Sequence, residues 1–283
     1  MGKCNCASKS ILSPINLFSS FYNDGRSYKY LQCNNCLSLF WDDTEDVKSY
    51  DSSYYSFKEV AKRDITYLNR FRYLGENLLA RLFRILKPLS LMNMILFEII
   101  RSQKHQIIDY GSGSGSFSQF LKDLGYRGKV LSYDPFYRGN NLNIMTNKSQ
   151  IDWHNIDVVY SNQVFEHISN ISYLLEEILG NVKVGTHLIF SMPILGSVVK
   201  EFGEIAFSLQ IPDHKSLYTL QGLRELLKES SWETISINVE DLHAEYSELS
   251  VLGDNGTCRK DLFREFDFSG GNNVVVVLRK GYE

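Results

Sequence analysis

The residues with the clearest chemical signature form a short glycine-rich stretch near the middle of the chain. Gly111, Gly113 and Gly115 alternate with serines and follow Asp109. Glycine lets a backbone adopt positive φ and approach a ligand closely. The apolar residues before the stretch predict a strand, and the residues after it predict a helix. A glycine turn in that context is typical of nucleotide-cofactor sites in open α/β sheets.

Two carboxylates accompany this turn and indicate which cofactor it binds. Asp109 would repel a pyrophosphate, and in the dinucleotide fingerprint the third glycine falls one position later than Gly115 does. S-adenosylmethionine has no phosphate and carries a sulfonium and an ammonium, which a carboxylate favours. Asp134, followed by Pro135, ends the next predicted strand, where an acid can bind both ribose hydroxyls. We therefore predict S-adenosylmethionine as the cofactor. The alternative interpretation of the glycine-serine stretch is a flexible loop, and the alternative for Asp134 and Pro135 is an ordinary turn.

Two histidines and a glutamate follow the next two predicted strands. Glu166 and His167 come after the strand at residues 156–161, and His214 comes after the strand at residues 187–191. Ligands of open α/β sheets bind outside the carboxyl ends of the strands. Histidine is the commonest side chain that removes a proton near neutral pH. His167, next to Glu166, or His214 is thus the predicted catalytic base for a hydroxyl acceptor. A structural cap on the following helix is the alternative for Glu166 and His167.

Four of the five cysteines form two close pairs near the start of the chain, Cys4 with Cys6 and Cys33 with Cys36. Paired thiols in an intracellular chain suggest zinc rather than disulfides. Four thiolates suit tetrahedral zinc, and such an ion can fold a segment that is too small for its own core. The sequence predicts a structural zinc site at these four residues. The alternative is that Cys4 and Cys6 belong to a frayed terminus.

Short apolar segments alternate with helical patterns from residue 105 onwards. Predicted strands cover residues 106–110, 129–133, 156–161, 187–191, 234–239 and 273–278, and predicted helices cover residues 116–124, 171–179 and 220–229. Thr219 is the predicted N-cap of the last helix. This alternation favours a parallel α/β sheet. Residues 58–104 predict a helical cap or linker that Pro88 breaks or kinks.

The composition indicates a globular protein. Hydrophobic residues make up 43% of the chain, which is enough for a core. The net charge of -3 and the absence of a basic block argue against a nucleic-acid partner. The apolar stretch at residues 89–100 is much shorter than the about 20 residues that a membrane helix needs. We expect no membrane insertion and, because no signal-like apolar run is present, a cytoplasmic location.

Three stretches of the sequence resemble motifs of class I S-adenosylmethionine-dependent methyltransferases. They are Ile107-Ile108-Asp109-Tyr110-Gly111-Ser112-Gly113-Ser114-Gly115, then Tyr133-Asp134, then Asp157-Val158-Val159-Tyr160-Ser161-Asn162-Gln163-Val164-Phe165-Glu166-His167-Ile168. The resemblance covers about residues 105–280. It implies an α/β fold with a Rossmann-like, seven-stranded, mostly parallel sheet whose last strand is antiparallel.

The same resemblance implies roles for individual residues. Gly111 and Gly113 would approach the methionine part of the cofactor, Asp134 would bind the ribose, and Asn162 or Gln163 would lie beside the sulfonium. The family usually supplies the adenine contacts from the stretch that corresponds to Ile144 to Trp153. The full set of predicted cofactor contacts is Asp109, Tyr110, Gly111, Ser112, Gly113, Gly115, Asp134, Pro135, Asn162 and Gln163.

The segment around the second cysteine pair resembles the leader of a methyltransferase subset that carries an N-terminal cysteine-pair segment. The matching stretches are residues 30–40 and 50–55. Many members of that subset act on sugars of bacterial surface polysaccharides or antibiotics. The resemblance implies a small-molecule substrate, with a sugar hydroxyl or sugar-linked group of a nucleotide sugar or glycan as the best expectation.

The sequence therefore predicts three regions and one main function. Residues 1–57 form the cysteine-pair segment, residues 58–104 the helical cap, and residues 105–283 the cofactor-binding domain. Two rival functions are a nicotinamide-dependent oxidoreductase and a methyltransferase-like binding module without activity. The glycine spacing and Asp109 argue against the first. The intact glycine turn and Asp134 argue against the second.

Overall fold

The protein is described by a computed structural model that covers residues 12–18, 26–42, 91–101, 105–196, 199, 209, 211–240 and 271–282. Within these residues the chain forms a seven-stranded sheet, mostly parallel with one antiparallel strand, and a four-stranded sheet. The strands are β1 (Leu12–Phe18), β2 (Ser27–Cys33), β3 (Leu39–Trp41), β4 (Ile107–Tyr110), β5 (Val130–Tyr133), β6 (Ile144–Met145), β7 (Val158–Asn162), β8 (His187–Pro193), β9 (Ser216–Leu217), β10 (Glu233–Glu240) and β11 (Asn273–Arg279). The helices are α1 (Leu91–Ile100), α2 (Ser116–Asp123), α3 (Ile171–Asn181) and α4 (Leu220–Glu229).

The large sheet has the strand order β10-β11-β8-β7-β4-β5-β6. Strand β4 pairs in parallel with both β5 and β7, and β5 pairs in parallel with β6. Strands β7 and β8 also run parallel, because His187 N donates to Asp157 O at one end and Gln163 N donates to Ser191 O at the other. Every residue of β4 is buried, as expected for a central strand covered on both faces.

Strand β11 runs antiparallel to β8. Lys280 N donates to Thr186 O, and Ile194 N donates to Asn272 O. The residue number on β11 falls as the number on β8 rises, which is the register of an antiparallel pair. The predicted seven-stranded sheet with an antiparallel last strand is thus confirmed.

The chain divides into two compact units. The glycine unit comprises residues 49–162, 181–190 and 279–283, and the histidine unit comprises residues 1–48, 163–180 and 191–278. In the glycine unit, Asn93 of α1 accepts a hydrogen bond from the Tyr160 hydroxyl at 2.9 Å. The Tyr160 ring also stacks on Phe117 of α2, with ring centroids 3.8 Å apart. None of the described helices is long and apolar enough to cross a membrane.

The histidine unit contains the four-stranded sheet. Strands β1, β2 and β3 form an antiparallel meander, and β9 pairs with β3 through Leu39 with Leu217 and Phe40 with Ser216. One face of this sheet contributes to a hydrophobic core. Its buried members are Leu17, Tyr28, Tyr30, Leu39, Trp41, Leu195, Val199, Leu209, Ile211 and Leu217. Burying each large side chain stabilises the fold by about 1.5–3 kcal/mol.

The helices of the histidine unit follow their sequence patterns. Helix α4 begins as predicted, because the Thr219 hydroxyl accepts a hydrogen bond from Gly222 N at 3.1 Å. Apolar residues three or four positions apart form its buried face, among them Leu223 and Leu227, as Ile171, Leu174 and Ile178 do in α3. The Trp232 indole donates to Leu175 O of α3 at 2.9 Å. These contacts hold both helices within the unit.

The structure adds elements that the sequence did not predict. Strands β6 and β9 have two residues each, and β1, β2 and β3 lie in the cysteine-pair segment for which no strands were predicted. Of the predicted helical region 58–104, helix α1 is seen, whereas residues 58–90 lie outside the described residues.

Candidate functional site

The glycine turn connects β4 to α2 with all three glycines in the left-handed region. Gly111, Gly113 and Gly115 have φ values of 78°, 53° and 79°. Any other residue would be strained at these angles, so the sequence of the turn follows from its backbone. Gly111 N and Ser112 N both donate to Tyr133 O at the end of β5, which holds the turn against the neighbouring strand.

Asp109 is a buried carboxylate that lacks a full set of partners. Its side chain is 4% exposed, and Oδ2 accepts no hydrogen bond from the described residues. Burial, with a smaller contribution from the negative charge of Asp134, raises the pKa of Asp109 to about 8. A buried anionic oxygen without a donor is unfavourable unless a positive group pairs with it. The site around Asp109 therefore favours a cationic ligand.

Asp134 lies directly after β5 and is held by backbone amides. Gly113 N donates to Oδ2 at 3.0 Å, and Phe136 N donates to Oδ1 at 2.9 Å. Burial raises the pKa of Asp134, although these amides, Tyr137 N and the Arg138 charge act in the opposite direction. The carboxylate is thus fixed in place by backbone amides on the edge of the glycine turn. Pro135, the next predicted contact, is exposed.

The remaining side chains around the turn are mostly aromatic or small. The Ser112 hydroxyl is buried and has no hydrogen-bond partner among the described residues. The Tyr110 ring lies 5.0 Å from the Tyr133 ring and 6.4 Å from the Trp153 ring, measured between centroids. A Cβ added to Gly115 would lie 3.5 Å from Ile144 Cδ1. Ile144 and Trp153, the ends of the stretch predicted to contact adenine, therefore lie close to the glycine turn.

Asn162 and Gln163 end β7 in different ways. Asn162 is the exposed last residue of the strand. Gln163 has φ of 55°, and its side-chain amide donates to Ser191 Oγ at 3.2 Å and to Asn273 Oδ1 at 2.9 Å. The Gln163 side chain is therefore engaged with β8 and β11. Of the two residues predicted to lie beside the sulfonium, Asn162 belongs to the glycine unit and Gln163 to the histidine unit.

The structure brings the three predicted catalytic side chains together in the histidine unit. Glu166 and His167 belong to a single 3-10 turn, Phe165–His167, and His214 precedes β9. One ligand atom from each of the three residues lies within 4.8 Å of the others. The two imidazole rings meet edge to face with centroids 5.0 Å apart. Glu166 is 1% exposed and His214 is 2% exposed.

Burial dominates the electrostatics of this cluster of Glu166, His167 and His214, hereafter the histidine cluster. Burial raises the pKa of Glu166 well above its usual range, and the negative charge of Asp213 raises it further. Glu166 Oε2 is buried and accepts no hydrogen bond from the described residues. His167 Nε2 lies 3.9 Å from Glu166 Oε1, too far for a hydrogen bond.

Asp213 and Tyr30 support the histidine cluster and were not among the predicted site residues. His167 Nδ1 lies 3.1 Å from Asp213 O and 3.5 Å from Asp213 Oδ2. The Tyr30 hydroxyl donates to His214 O at 2.6 Å. Asp213 directly precedes His214 in the sequence, and an acid next to a predicted catalytic histidine is a signal that could have identified Asp213 as a site residue. Nothing in the sequence links Tyr30 to position 214.

The second cysteine pair forms a tight turn after β2. Cys33 N donates to Ser38 O at 2.9 Å, and Leu37 N donates to Cys33 O at 2.8 Å. Both Cys33 and Cys36 are buried and form no disulfide among the described residues. Thr219, the N-cap of α4, donates its hydroxyl proton to Cys36 O at 2.6 Å. Cys4 and Cys6, the other two predicted zinc ligands, lie outside the described residues.

Comparison with known proteins gives one family match and a set of similar folds. A family model described as a methyltransferase domain matches residues 69–237. None of the curated proteins matches the sequence. A S-adenosylmethionine-dependent methyltransferase from Archaeoglobus fulgidus shares 16% identity over 71% of this chain and 99% of its own, with a TM-score of 0.43. Phosphoethanolamine N-methyltransferase 2 from Haemonchus contortus, in complex with S-adenosylmethionine, shares 14% identity over 67% of this chain and 52% of its own, with a TM-score of 0.44.

Proposed function

Because the chain belongs to the methyltransferase-domain family, whose cofactor is S-adenosylmethionine, we propose that it transfers the methyl group of this cofactor to a small molecule. The observation that carries the proposal is Asp109, a buried carboxylate next to three glycines at positive φ, with one oxygen that has no hydrogen-bond partner within the described residues. The cysteine pairs favour the cytoplasm as its location, because thiols stay reduced there.

The residues of the glycine unit fit this cofactor. Asp109 offers a negative charge to a ligand that carries an ammonium and a sulfonium, and it is shielded from water. A carboxylate can accept several hydrogen bonds at once, so Asp134, held by backbone amides, would also accept from the ribose hydroxyls. Gly111 and Gly113 carry no side chain, which would let the methionine part of the cofactor approach the backbone closely. The sulfonium supplies the methyl group and is itself an excellent leaving group, so these residues mainly bind and orient.

The proposed acceptor is a sugar hydroxyl or a sugar-linked group, on a nucleotide sugar or glycan of surface polysaccharide biosynthesis. This part rests on the resemblance of the cysteine-pair segment, including Cys33 and Cys36, to the leader of sugar methyltransferases. A hydroxyl must lose its proton during the transfer, and its own pKa lies far above neutral. His167 and His214, together with Glu166, are the proposed groups that assist this step.

The nicotinamide-dependent oxidoreductase is a weaker proposal. A dinucleotide would place a pyrophosphate beside the glycine turn, where the carboxylates of Asp109 and Asp134 are both buried and near each other. Like charges in a buried site repel strongly. An inactive binding module would use the same cofactor contacts. Only the measurement of turnover separates that rival from an enzyme.

A direct comparison of ligands tests the cofactor. S-adenosylhomocysteine at about 100 times its dissociation constant should stabilise the protein by about 2.7 kcal/mol and raise the melting temperature, whereas NAD should not. Isothermal titration calorimetry gives the two affinities. Binding of NAD without binding of S-adenosylhomocysteine would refute the central proposal.

A panel of acceptors tests the substrate class. The protein is incubated with S-adenosylmethionine and nucleotide sugars, free sugars, amines and carboxylic acids, and mass spectrometry detects the gain of one methyl group. The proposal expects product only from the sugar-containing acceptors. Methylation of amines alone would contradict the proposed hydroxyl acceptor, but it would still support the proposed methyltransferase activity.

We also propose that Cys4, Cys6, Cys33 and Cys36 bind one structural zinc ion. The support is the buried position of Cys33 and Cys36 on one tight turn whose backbone is fixed by hydrogen bonds. Elemental analysis of wild-type protein and of Cys33→Ser should differ by about one zinc per chain, the content of a four-thiolate site. Equal zinc content in the two folded proteins would exclude this site.

A further inference from the structure

The histidine cluster offers an oxygen and two imidazole nitrogens to one small volume. The ligand atoms of Glu166, His167 and His214 all lie within 4.8 Å of one another. Glu166 and His214 are almost fully buried. A general base requires one titratable group, whereas this arrangement gathers three potential ligands. The role of a general base therefore does not explain why three potential metal ligands lie so close together.

The Glu166 carboxylate supplies independent evidence for a ligand at this place. Oε2 is buried and receives no hydrogen bond from the described residues, and the carboxylate of Asp213 is buried in the same unit. Buried carboxylates normally have hydrogen bonds, an ion pair or a metal ion. A bound cation would satisfy Glu166 and offset the concentration of negative charge around it.

His167 is oriented in the manner of a metal ligand. Its Nδ1 lies 3.1 Å from Asp213 O and 3.5 Å from Asp213 Oδ2. A proton on Nδ1 that is donated to Asp213 leaves the lone pair on Nε2, and Nε2 is the atom near Glu166 Oε1. Metal-bound histidines almost always donate their other ring nitrogen to a carbonyl or carboxylate in this way. Asp213 thus acts as a positioning residue.

We propose that Glu166, His167 and His214 bind a single divalent transition-metal ion, with zinc as the expected occupant. Two imidazoles and one carboxylate are borderline ligands that suit zinc and iron(II), and they are a poor match for magnesium or calcium. Three protein ligands leave a coordination position open for water or an acceptor oxygen. The side chains must close inward, because two ligands at about 2.1 Å from one ion are at most about 4.2 Å apart.

The binding of a metal ion does not depend on the proposed function. The expected effect of the metal on turnover does rest on the proposed methyltransferase function. A hydroxyl bound to such an ion has a lower pKa, as metal-bound water does. The ion would then activate the acceptor hydroxyl. The proton of this hydroxyl would pass to solvent water, because a metal-bound Nε2 of His167 has no lone pair to take it up. Removal of the metal would stop methylation of a hydroxyl while binding of S-adenosylhomocysteine persists.

Cobalt(II) tests the site in the full-length protein without any cofactor or acceptor. Cobalt bound to thiolates gives sulfur-to-metal charge-transfer bands, and cobalt bound to nitrogen and oxygen ligands does not. Titration of chelator-treated wild-type protein should show one more bound ion than the sulfur-to-metal charge-transfer bands account for, and this ion should contribute d–d absorption alone. Wild-type protein that binds cobalt only with the thiolate spectrum, or does not bind it, would overturn the proposal.

Variants assign the ion to the histidine cluster. Glu166→Gln and His214→Gln keep the size of the buried side chain and should each bind one ion fewer than wild type. Asp213→Asn should bind the same number with about 10–100-fold lower affinity. The exposed His154 gives the control His154→Gln, which should bind as wild type does. Wild-type stoichiometry and affinity in folded Glu166→Gln and His214→Gln would also overturn the proposal.

Discussion

In the glycine unit the proposed cofactor-binding residues Asp109 and Gly111 to Gly115 lie on one continuous stretch of sequence. In the histidine unit, by contrast, His167 contacts Asp213, which is 46 positions further along the chain. The first site is a local structure: a strand, a turn and a helix generate it, and one neighbouring strand adds Asp134. The second is assembled by tertiary packing. A local site can be recognised from its spacing, and an assembled one only from the fold.

The two sites also differ in the groups that surround their buried carboxylates. Asp109 has an oxygen that accepts no hydrogen bond from the described residues, and it lies beside three glycines at positive φ. Glu166 has an oxygen for which the described part of the chain provides no donor, and it lies beside two imidazoles, which are common metal ligands. From this contrast we expect that substitutions in the glycine turn change cofactor affinity and that substitutions in the histidine cluster change turnover.

The largest expected effect is on turnover. His167→Ala or His214→Ala should lower turnover about 10²–10⁴-fold, because the acceptor loses the group that assists removal of its proton. The dissociation constant of S-adenosylhomocysteine, measured by calorimetry, should stay unchanged. The exposed His154 provides the control His154→Ala. A parallel loss of cofactor affinity would show that the two sites do not have separate roles.

A smaller effect is expected on cofactor affinity. Asp134→Ala and Asp109→Asn should each weaken binding of S-adenosylhomocysteine by about 1–3 kcal/mol, because hydrogen bonds to a charged group are lost. Asp157→Asn is a matched control, since Asp157 belongs to the same unit and pairs with Lys183 at 2.7 Å. An unchanged dissociation constant in folded Asp134→Ala would move the ribose contact elsewhere.

The raised pKa of Asp109 predicts a dependence on pH with a definite sign. The folded, cofactor-free protein keeps a proton on Asp109 up to about pH 8, and the unfolded chain loses it near pH 4. Folded protein binds more protons in this range, so wild type should lose stability relative to Asp109→Asn as the pH rises from about 4 to about 8. Melting temperatures at several pH values test this. A constant difference between the two proteins would contradict the raised pKa.

The same group links cofactor binding to proton release. A cationic ligand favours the ionised form of Asp109, so binding of S-adenosylhomocysteine at pH 7 should release close to one proton. Calorimetry in buffers of different ionisation enthalpy measures that number. Asp109→Asn should release almost none. Equal proton release from both proteins would mean that the ligand's charge is paired elsewhere.

The smallest expected effect concerns Tyr30. Tyr30→Phe leaves His214 O without its 2.6 Å hydrogen bond and should cost about 1–2 kcal/mol of stability. Turnover should also fall, because this carbonyl belongs to a residue of the histidine cluster. Tyr126→Phe is a matched control: Tyr126 makes the same kind of bond, 2.6 Å to His105 O, in the glycine unit. Equal turnover in the two variants would reduce Tyr30 to a purely structural role.

The sequence predicted the parallel core well because its strands are continuous apolar runs and its turn residues have strict backbone requirements. Strand β4 and the glycine turn are examples, as is the Thr219 cap. It missed β9, because two residues carry no periodic pattern. It also missed Tyr30, whose partner at position 214 is fixed only by the packing of β2. His167 and His214 were singled out separately, and the fold makes them one cluster.

The pairing of β3 with β9 has a consequence for how the chain folds during synthesis. Phe40 is made early, but Ser216, its partner across the ladder, leaves the ribosome only after most of the chain. Until then the edge of β3 that pairs with β9 lacks this partner strand, which has only two residues. Exposed strand edges attract other chains, and contacts between distant residues form slowly. We expect the nascent chain to be prone to aggregation at this edge and to gain protection only when residues 216–217 close the small sheet.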